Sequence, residues 1–359
     1  MTIVAHTYQF VIGVDTHART HTLSILAAAT GAVIDEAEFP ATEPGMARAI
    51  AWVGRRTGGD MATLWVVEGV GSYGARLAAV VAQSGYQAVE AARMDARGNR
   101  GVGKSDPLDA RRIAAAVLPL EVDHLRIPRR DEGVRAALRV LVAARDQMTT
   151  ERTAAINALT ALLRGFPLGA DARKALTNAQ IVEVGRWRTR EEDMATGVAR
   201  AESVRLAKRI LELDEQVAHN TKTMTRLIQQ SPAKVLLDKI GIGPVTAAVV
   251  IAAWSHEGRL RDEAAFASLA GVNPIPASSG NTVRHRLNRG GDRRLNRALH
   301  MAVITRMTHD PETRSYVERR RAEGRTNREI RRILKRYLAR QLFRLLNSTA
   351  AAQPAGVPA

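Results

Sequence analysis

Phe10-Val11-Ile12-Gly13-Val14-Asp15 is a short apolar run that closes on a carboxylate, and its reading decides the fold. A run of this length, bounded by polar residues and rich in β-branched side chains, is a buried strand. A second run of the same kind, Thr63-Leu64-Trp65-Val66-Val67, closes on Glu68. Between and around them, residues 9–15, 21–28 and 32–39 read as three strands, 47–56 as a helix after Glu43-Pro44-Gly45, and 63–68 as a buried strand. Helix 74–83, a short strand at 87–91 and a helix from Asp106 to about Val117 follow. Asp106 is expected to cap that last helix, with Pro107 at its first helical position.

Three strands, helix, strand, helix, strand, helix is an α/β order. Three strands before the first helix suit a ribonuclease-H-like core better than a doubly wound nucleotide fold. The expected architecture is therefore an α/β domain of RNase H or RuvC type over 1–128. A helical, coiled-coil segment over 129–231 and a mainly α C-terminal domain over 232–346 follow it. An Ala/Pro-rich tail, 347–359, is expected to be disordered.

In the middle segment, Leu206, Ile210, Leu213, Val217, Asn220, Met224 and Leu227 advance by alternating steps of four and three, a heptad seam with one polar residue. Val134, Leu138, Leu141, Arg145, Met148, Arg152, Ala155, Leu159 and Leu162 keep the same steps, with two arginines on the seam. Gly165-Phe166-Pro167-Leu168-Gly169 ends that earlier helix. The seams fit an intramolecular hairpin or a dimerising coiled coil, and the residues alone leave both open.

The chain has 359 residues and a formal net charge of +17. The stretch 281–345 holds 19 Lys/Arg against 6 Asp/Glu, so most of the excess lies near the C-terminal end. Such a field selects polyanionic partners. No apolar run approaches the roughly 20 residues a membrane span needs, and no secretory signal is read at the N-terminus. The absence of cysteine excludes disulfides and thiolate zinc sites and is compatible with the cytoplasm. A cytoplasmic, nucleoid-associated protein is the expectation.

Four carboxylates carry the chemistry. Asp15 and Glu68 stand at strand ends, where a sheet fixes their backbones. Asp106 and Asp109, in Lys104-Ser105-Asp106-Pro107-Leu108-Asp109-Ala110, are three apart and share one helix face. Together they describe an oxygen-donor site for Mg²⁺ or Mn²⁺, and in a basic protein its substrate is a nucleic-acid phosphodiester. His17, two residues past Asp15, reads as a solvated loop residue.

Ile240-Gly241-Ile242-Gly243-Pro244-Val245-Thr246-Ala247-Ala248 reads as a helix-hairpin-helix turn, with Gly241, Gly243 and Thr246 placed for a phosphate at a helix start. Phe266-Ala267-Ser268-Leu269-Ala270-Gly271-Val272-Asn273-Pro274 leads into a loop, Ile275-Pro276-Ala277-Ser278-Ser279-Gly280. Arg284, Arg286, Arg289, Arg293, Arg294 and Arg297 then form a phosphate cradle, with Asp292 capping a helix after the Gly290-Gly291 pair. Lys104 joins them as a nucleic-acid contact. The final helix, 327–346, interleaves arginines with the apolar positions Ile330, Ile333, Leu334, Leu338, Leu342 and Phe343.

These motifs, with Gly13-Val14-Asp15-Thr16-His17 and Val67-Glu68-Gly69, make the chain resemble the DEDD transposases of the insertion-sequence 110 family, over about residues 9 to 346. The resemblance implies that Asp15, Glu68, Asp106 and Asp109 occupy the four acidic metal positions. It also implies that Ser279, directly before Gly280, is a nucleophile, with Ser278 as the fallback. DNA as donor and target, a structured guide RNA, and a homodimer that assembles to a tetramer follow from the same likeness. Many relatives carry Arg where Asn296 stands here, which removes one phosphate contact unless Arg297 supplies it. The alternative function is a RuvC-type, metal-dependent junction nuclease that uses the carboxylates without a covalent intermediate; a non-catalytic nucleic-acid-binding protein would need neither carboxylates nor serine.

Overall fold

The computed structural model describes residues 2–92, 105–130, 132–278 and 285–351. The chain divides into two compact units, Met1–Asp131 with Trp254–Phe266, and Glu132–Ala253 with Ala267–Ala359.

In the first unit, a short helix α1 (Val4–Thr7) precedes three strands, β1 (Phe10–Thr16), β2 (Thr20–Ala27) and β3 (Val33–Pro40). Helix α2 (Glu43–Arg56), strand β4 (Thr63–Val67), helix α3 (Ala75–Gln83), strand β5 (Gln87–Glu90) and helix α4 (Asp106–Ala115) follow. The five strands form one mixed sheet in the order β3-β2-β1-β4-β5. The hairpins β1–β2 and β2–β3 are antiparallel, while β4 runs parallel to both β1 and β5. This α/β arrangement is consistent with an RNase H-like fold.

The central strands β1 and β4 are apolar on both sides because both faces of the sheet are covered. Ile12, Val14, Leu23, Ile25, Trp65 and Val67 pack with Met46, Trp52 and Val53 of α2 and Leu77 and Val81 of α3. Val11, Leu26, Leu64, Val66 and Val89 pack on the opposite face with Ile113, Ala114 and Val117 in and just after α4.

Two helix starts differ from the sequence expectation. α2 begins at Glu43, four residues before Ala47, because Thr42 accepts a hydrogen bond from Gly45 N at 3.3 Å and Pro44 fits the first turn. In α4 the capping position is Ser105, whose backbone is extended, and Asp106 is already helical. Asp106 therefore lies in the first turn, where the helix dipole favours its negative charge.

In the second unit, α5 (Gly133–Gly165) and α7 (Met194–Gln229) are the two seam-bearing helices, with a short helix α6 (Asn178–Gly185) between them in sequence. The seams face each other within the chain. Asn220 donates to Leu141 O at 3.0 Å, Arg145 donates to Val217 O at 3.1 Å and to Thr221 Oγ1 at 2.7 Å, and Arg152 pairs with Asp214. The seam arginines are thus satisfied by α7 rather than left against apolar surface. Leu159, Leu163, Ile181, Val184, Ala207 and Ile210 form the apolar core at one end of this pair, where α6 packs.

A 3₁₀ turn, Pro232–Leu236, leads to α8 (Pro244–Trp254) and α9 (Glu263–Leu269). The Pro/Ser/Gly-rich segment after α9 holds a two-stranded antiparallel sheet, β6 (Pro274–Pro276) and β7 (His285–Leu287), that its composition conceals. Helices α10 (Arg293–His309), α11 (Pro311–Ala322) and α12 (Asn327–Ala351) complete the unit. α12 runs five residues past Leu346, so the expected disordered tail does not begin at 347. Asn347–Ala351 contains no proline or glycine, and the Ser348 and Thr349 hydroxyls bond back to Leu345 O and Leu346 O. Among the described residues, no helix is long and apolar enough to cross a membrane.

Candidate active site

Asp15 stands near the C-terminal end of β1 on the sheet face that α4 covers, two residues past Gly13 and four past Val11. α4 crosses β1 at Gly13, which carries no side chain to hold the helix off. One turn back along α4 from that crossing lies Asp106. The sheet and the helix start thus deliver two carboxylates from positions about ninety residues apart to one place.

His17 completes the cluster. Its Nε2 lies 3.2 Å from Asp15 Oδ2 and 3.7 Å from Asp106 Oδ1. One donor atom from each of Asp15, His17 and Asp106 falls within 4.8 Å of the others. Asp15 is only 7% exposed, while His17 and Asp106 are open to solvent on one side. A buried, rigid carboxylate beside two accessible donors is an arrangement able to hold a divalent cation with positions left for substrate. His17 is exposed just past β1, as its surroundings in sequence suggest, yet its ring reaches both carboxylates. The signal that points to it is the i, i+2 spacing from Asp15 at a strand end, which places both on one face.

Glu68, just past the end of the neighbouring parallel strand β4, is outside this three-residue group. Val14 pairs with Val67, Glu68 N donates to Val14 O at 3.0 Å, and Glu68 O accepts from Thr16 Oγ1 at 3.0 Å. Its parity follows Leu64 and Val66, which belong to the α4 face of the sheet. Glu68 itself is exposed. Asp109, one turn along α4 from Asp106, is outside the three-residue cluster and pairs with Arg112 at 3.1 Å. Behind the site, His21 on β2 is pushed below its ordinary pKa, first by burial and further by the nearby His17, against a backbone hydrogen bond at Thr20 that raises it.

In the second unit the basic motif is partly neutralised. Asp292 caps α10 as its sequence suggests, accepting from Arg294 N at 2.9 Å and Leu295 N at 3.0 Å. Arg294 and Arg297 both pair with Asp146 of α5. Arg286 and Arg289 are exposed on and just after β7, and Arg293 is exposed at the start of α10. Asn296 donates to Ala270 O at 2.7 Å and accepts from Lys335 Nζ at 2.9 Å, so it braces the chain before β6 and orients a cation.

The turn before α8 has a structural duty. Gly241 has φ +81°, and a β-carbon there would approach Ala302 O of α10 to 2.6 Å. The element before the turn is the 3₁₀ segment rather than an α-helix. Gly243 precedes α8 in open space, and Thr246 is half-buried in its first turn. Lys104, Ser279 and Arg284 lie outside the described residues.

Two sequence families match this chain. A DEDD-type family named for IS110, described as "Transposase", matches residues 12–167, and one described as "Transposase IS116/IS110/IS902 family" matches residues 233–318. An uncharacterized 42 kDa protein of insertion element IS900 from Mycobacterium paratuberculosis is 28% identical over 305 residues, 71% of this chain and 74% of the relative. An uncharacterized 43.6 kDa protein of insertion element IS110 from Streptomyces coelicolor is 31% identical over 157 residues, 42% of this chain and 39% of the relative. An uncharacterized 44.8 kDa protein of insertion element IS116 from Streptomyces clavuligerus is 26% identical over 268 residues, 63% of this chain and 66% of the relative. The chain belongs to the IS110 family of transposases, enzymes that act on DNA.

Proposed function

We propose that this protein cuts and rejoins DNA at a composite site, a divalent-metal pocket on its α/β domain and a serine nucleophile in its C-terminal domain. The observation that carries this reading is the convergence of Asp15, Asp106 and His17, whose donor atoms lie within 4.8 Å of one another. Asp15, Glu68, Asp106 and Asp109 hold Mg²⁺ or Mn²⁺ in this proposal, with His17 as an added donor or as the group that orients Asp15. The oxygen-rich donor set fits a hard divalent cation. Bound there, the cation supplies Lewis-acid charge at the scissile phosphate. Asp15 brings a fixed oxygen because β1 holds its backbone, and Asp106 stands in the first turn of α4.

Ser279 is the nucleophile in this proposal, with Ser278 as the alternative; the second family match, 233–318, spans both. As the serine oxygen bonds to phosphorus, the phosphodiester bond to the departing deoxyribose oxygen breaks. The hydroxyl proton leaves the serine, and the departing oxygen gains one. The phosphoserine ester retains the energy of the broken bond, so attack by a second sugar hydroxyl reverses the step onto a new strand.

The first domain, 1–128, acts as a RuvC-like catalytic module in this reading, and 232–346 as the transposase module. The helices of 129–231 serve a homodimer that assembles to a tetramer, and a structured guide RNA directs the DNA choice. Support for the polyanion partners is the +17 charge concentrated toward the C-terminal end. The turn at Gly241–Gly243 with Thr246, and Lys104, Arg284, Arg286, Arg289, Arg293, Arg294 and Arg297, contact backbone phosphates.

The test is DNA cleavage and joining with Mg²⁺ or Mn²⁺, comparing the native chain with Asp15→Asn and Ser279→Ala. Loss of cleavage in Asp15→Asn, and loss of a covalent protein–DNA adduct in Ser279→Ala, are expected. Full cleavage without joining in Ser279→Ala would replace the reading with a RuvC-type junction nuclease. Full activity in Asp15→Asn would remove the metal pocket from the mechanism.

A further inference from the structure

A cavity of about 430 Å³ opens between α12 and the β6–β7 pair, entirely within the second unit. Arg320, Arg332, Lys335, Arg336 and Arg340 line one side, Arg286 lies on the other, and the described lining holds no aspartate or glutamate. Arg332, Arg336 and Arg340 recur every four residues, so they form a ladder along one face of α12. Glu323, the partner of Arg320, does not line the cavity.

Crowding of like charge is visible in Lys335. Its pKa is held below the ordinary lysine value by burial first, and then by Arg332 and Arg293. Arg320 already pairs with Glu323, and the described lining itself carries no carboxylate that would repel an anion entering from outside.

One aromatic stands among these cations. Tyr337 lines the same cavity and is 53% exposed, unusual for a ring of its size. It is positioned by an edge-on contact with Tyr316, centroids 6.2 Å apart at 77°, and Tyr316 is overlaid by the guanidinium groups of Arg319 and Arg320. Leu287, also half-exposed, and Ile333 add apolar surface to the lining. A phosphate ladder beside an anchored, open aromatic face is what a single strand requires: charge for the backbone and a platform for a base. A duplex has no base face to offer, because its bases are stacked and paired.

We infer that this cavity seats an unpaired nucleotide of a DNA or RNA strand, with its base on Tyr337 and its backbone phosphates along Arg332, Arg336 and Arg340. The inference rests on the proposed action on nucleic acid but places a separate, metal-independent contact. The cavity volume accommodates one nucleotide and not a helix.

The experiment measures binding of the full-length protein in EDTA, with fluorescein-labelled oligo(dT), oligo(rU) and a blunt DNA duplex of equal length, so cleavage plays no part. Tyr337→Ala is expected to weaken binding of one or both single strands about tenfold or more, as loss of one base stack does, and to leave the duplex unchanged. Tyr337→Phe is expected to retain native affinity, and Arg336→Gln is expected to flatten the salt dependence for the strand. Whichever of DNA or RNA shows the larger effect is the occupant. A 2-aminopurine in the strand should be quenched on binding to the native chain and to Tyr337→Phe, but not to Tyr337→Ala. Equal loss for duplex and single strand, or native affinity in both Tyr337→Ala and Arg336→Gln, would overturn the inference. Because EDTA removes divalent cations, failure of the metal proposal and failure of this one are read separately.

Discussion

A β-carbon added to Gly13 on β1 would lie 1.9 Å from the carbonyl oxygen of Ala110 on α4, closer than any real contact permits. This crossing sets the distance between the strand that carries Asp15 and the helix that begins at Asp106. The contacted atom is backbone and has no rotamer to change, so the helix itself must move. Gly13→Ala is expected to destabilise the fold by roughly 1–3 kcal/mol and to weaken divalent-metal binding together with stability. Denaturant unfolding and Mn²⁺ titration of the same variant check both. Native stability would show that α4 is not seated on β1 as described.

His17 is expected to tighten metal binding. As a ligand, or as the group that orients the Asp15 carboxylate, its loss in His17→Ala should lower Mn²⁺ affinity roughly 10- to 100-fold, the range seen when supporting groups around metal sites are removed. Isothermal titration with Mn²⁺ reads this directly. Thermal stability should change little, because His17 is half-exposed. Unchanged affinity would return His17 to the role of a solvated residue.

Asn220 is buried on the α7 seam, and its Oδ1 has no partner while its amide donates to Leu141 O. Asn220→Leu replaces a half-satisfied polar group with apolar volume, and is expected to raise stability by about 1 kcal/mol. A single polar seam residue also fixes helix register. The variant should therefore gain in thermal midpoint while losing uniqueness of association, seen as new oligomers in light scattering. A fall in stability would show that the hydrogen bond outweighs the burial.

Stability should depend on pH near neutrality through His21. Burial lowers its folded-state pKa below the ordinary 6.5. Between those two values the unfolded chain binds a proton that the folded chain does not, so stability rises with pH across the window. The contribution is complete above about pH 6.5 and is lost as pH falls toward the folded-state pKa. The slope is at most about 1.4 kcal/mol per pH unit for one group. His300, lowered mainly by burial and further by Lys335 and Arg331, adds with the same sign. His21→Val should flatten the profile of unfolding free energy below about pH 6.5, checked by urea unfolding at a series of pH values.

Much of the architecture was legible in the order of residues. The strands around Asp15 and Glu68 announce themselves by apolar runs buried on both faces. The seams of α5 and α7 announce themselves by their four-and-three steps, even with Arg145 and Arg152 upon them. The short sheet β6–β7 was hidden because three-residue strands rich in proline carry no alternation. The start of α2 is hidden because its cap, Thr42, stands beside Pro44 and before any apolar periodicity. The full length of α12 is hidden because its last residues are small and polar, yet their hydroxyls bond back into the helix.

By itself, the sequence offered candidates, carboxylates at two strand ends and two more one helical turn apart with a basic C-terminal stretch, while the serine before glycine was a candidate only through the family resemblance. Periodicity and composition carry that much, because they depend on neighbours along the chain. Only tertiary structure decided that His17 joins Asp15 and Asp106, that Asp109 turns to Arg112, that Asp146 holds Arg294 and Arg297, and that Tyr337 stands open among arginines. Each of those outcomes is set by where a helix crosses a strand or another helix, and such crossings are fixed by side-chain volume at contacts distant in sequence, of which the bare glycine at position 13 is the clearest case.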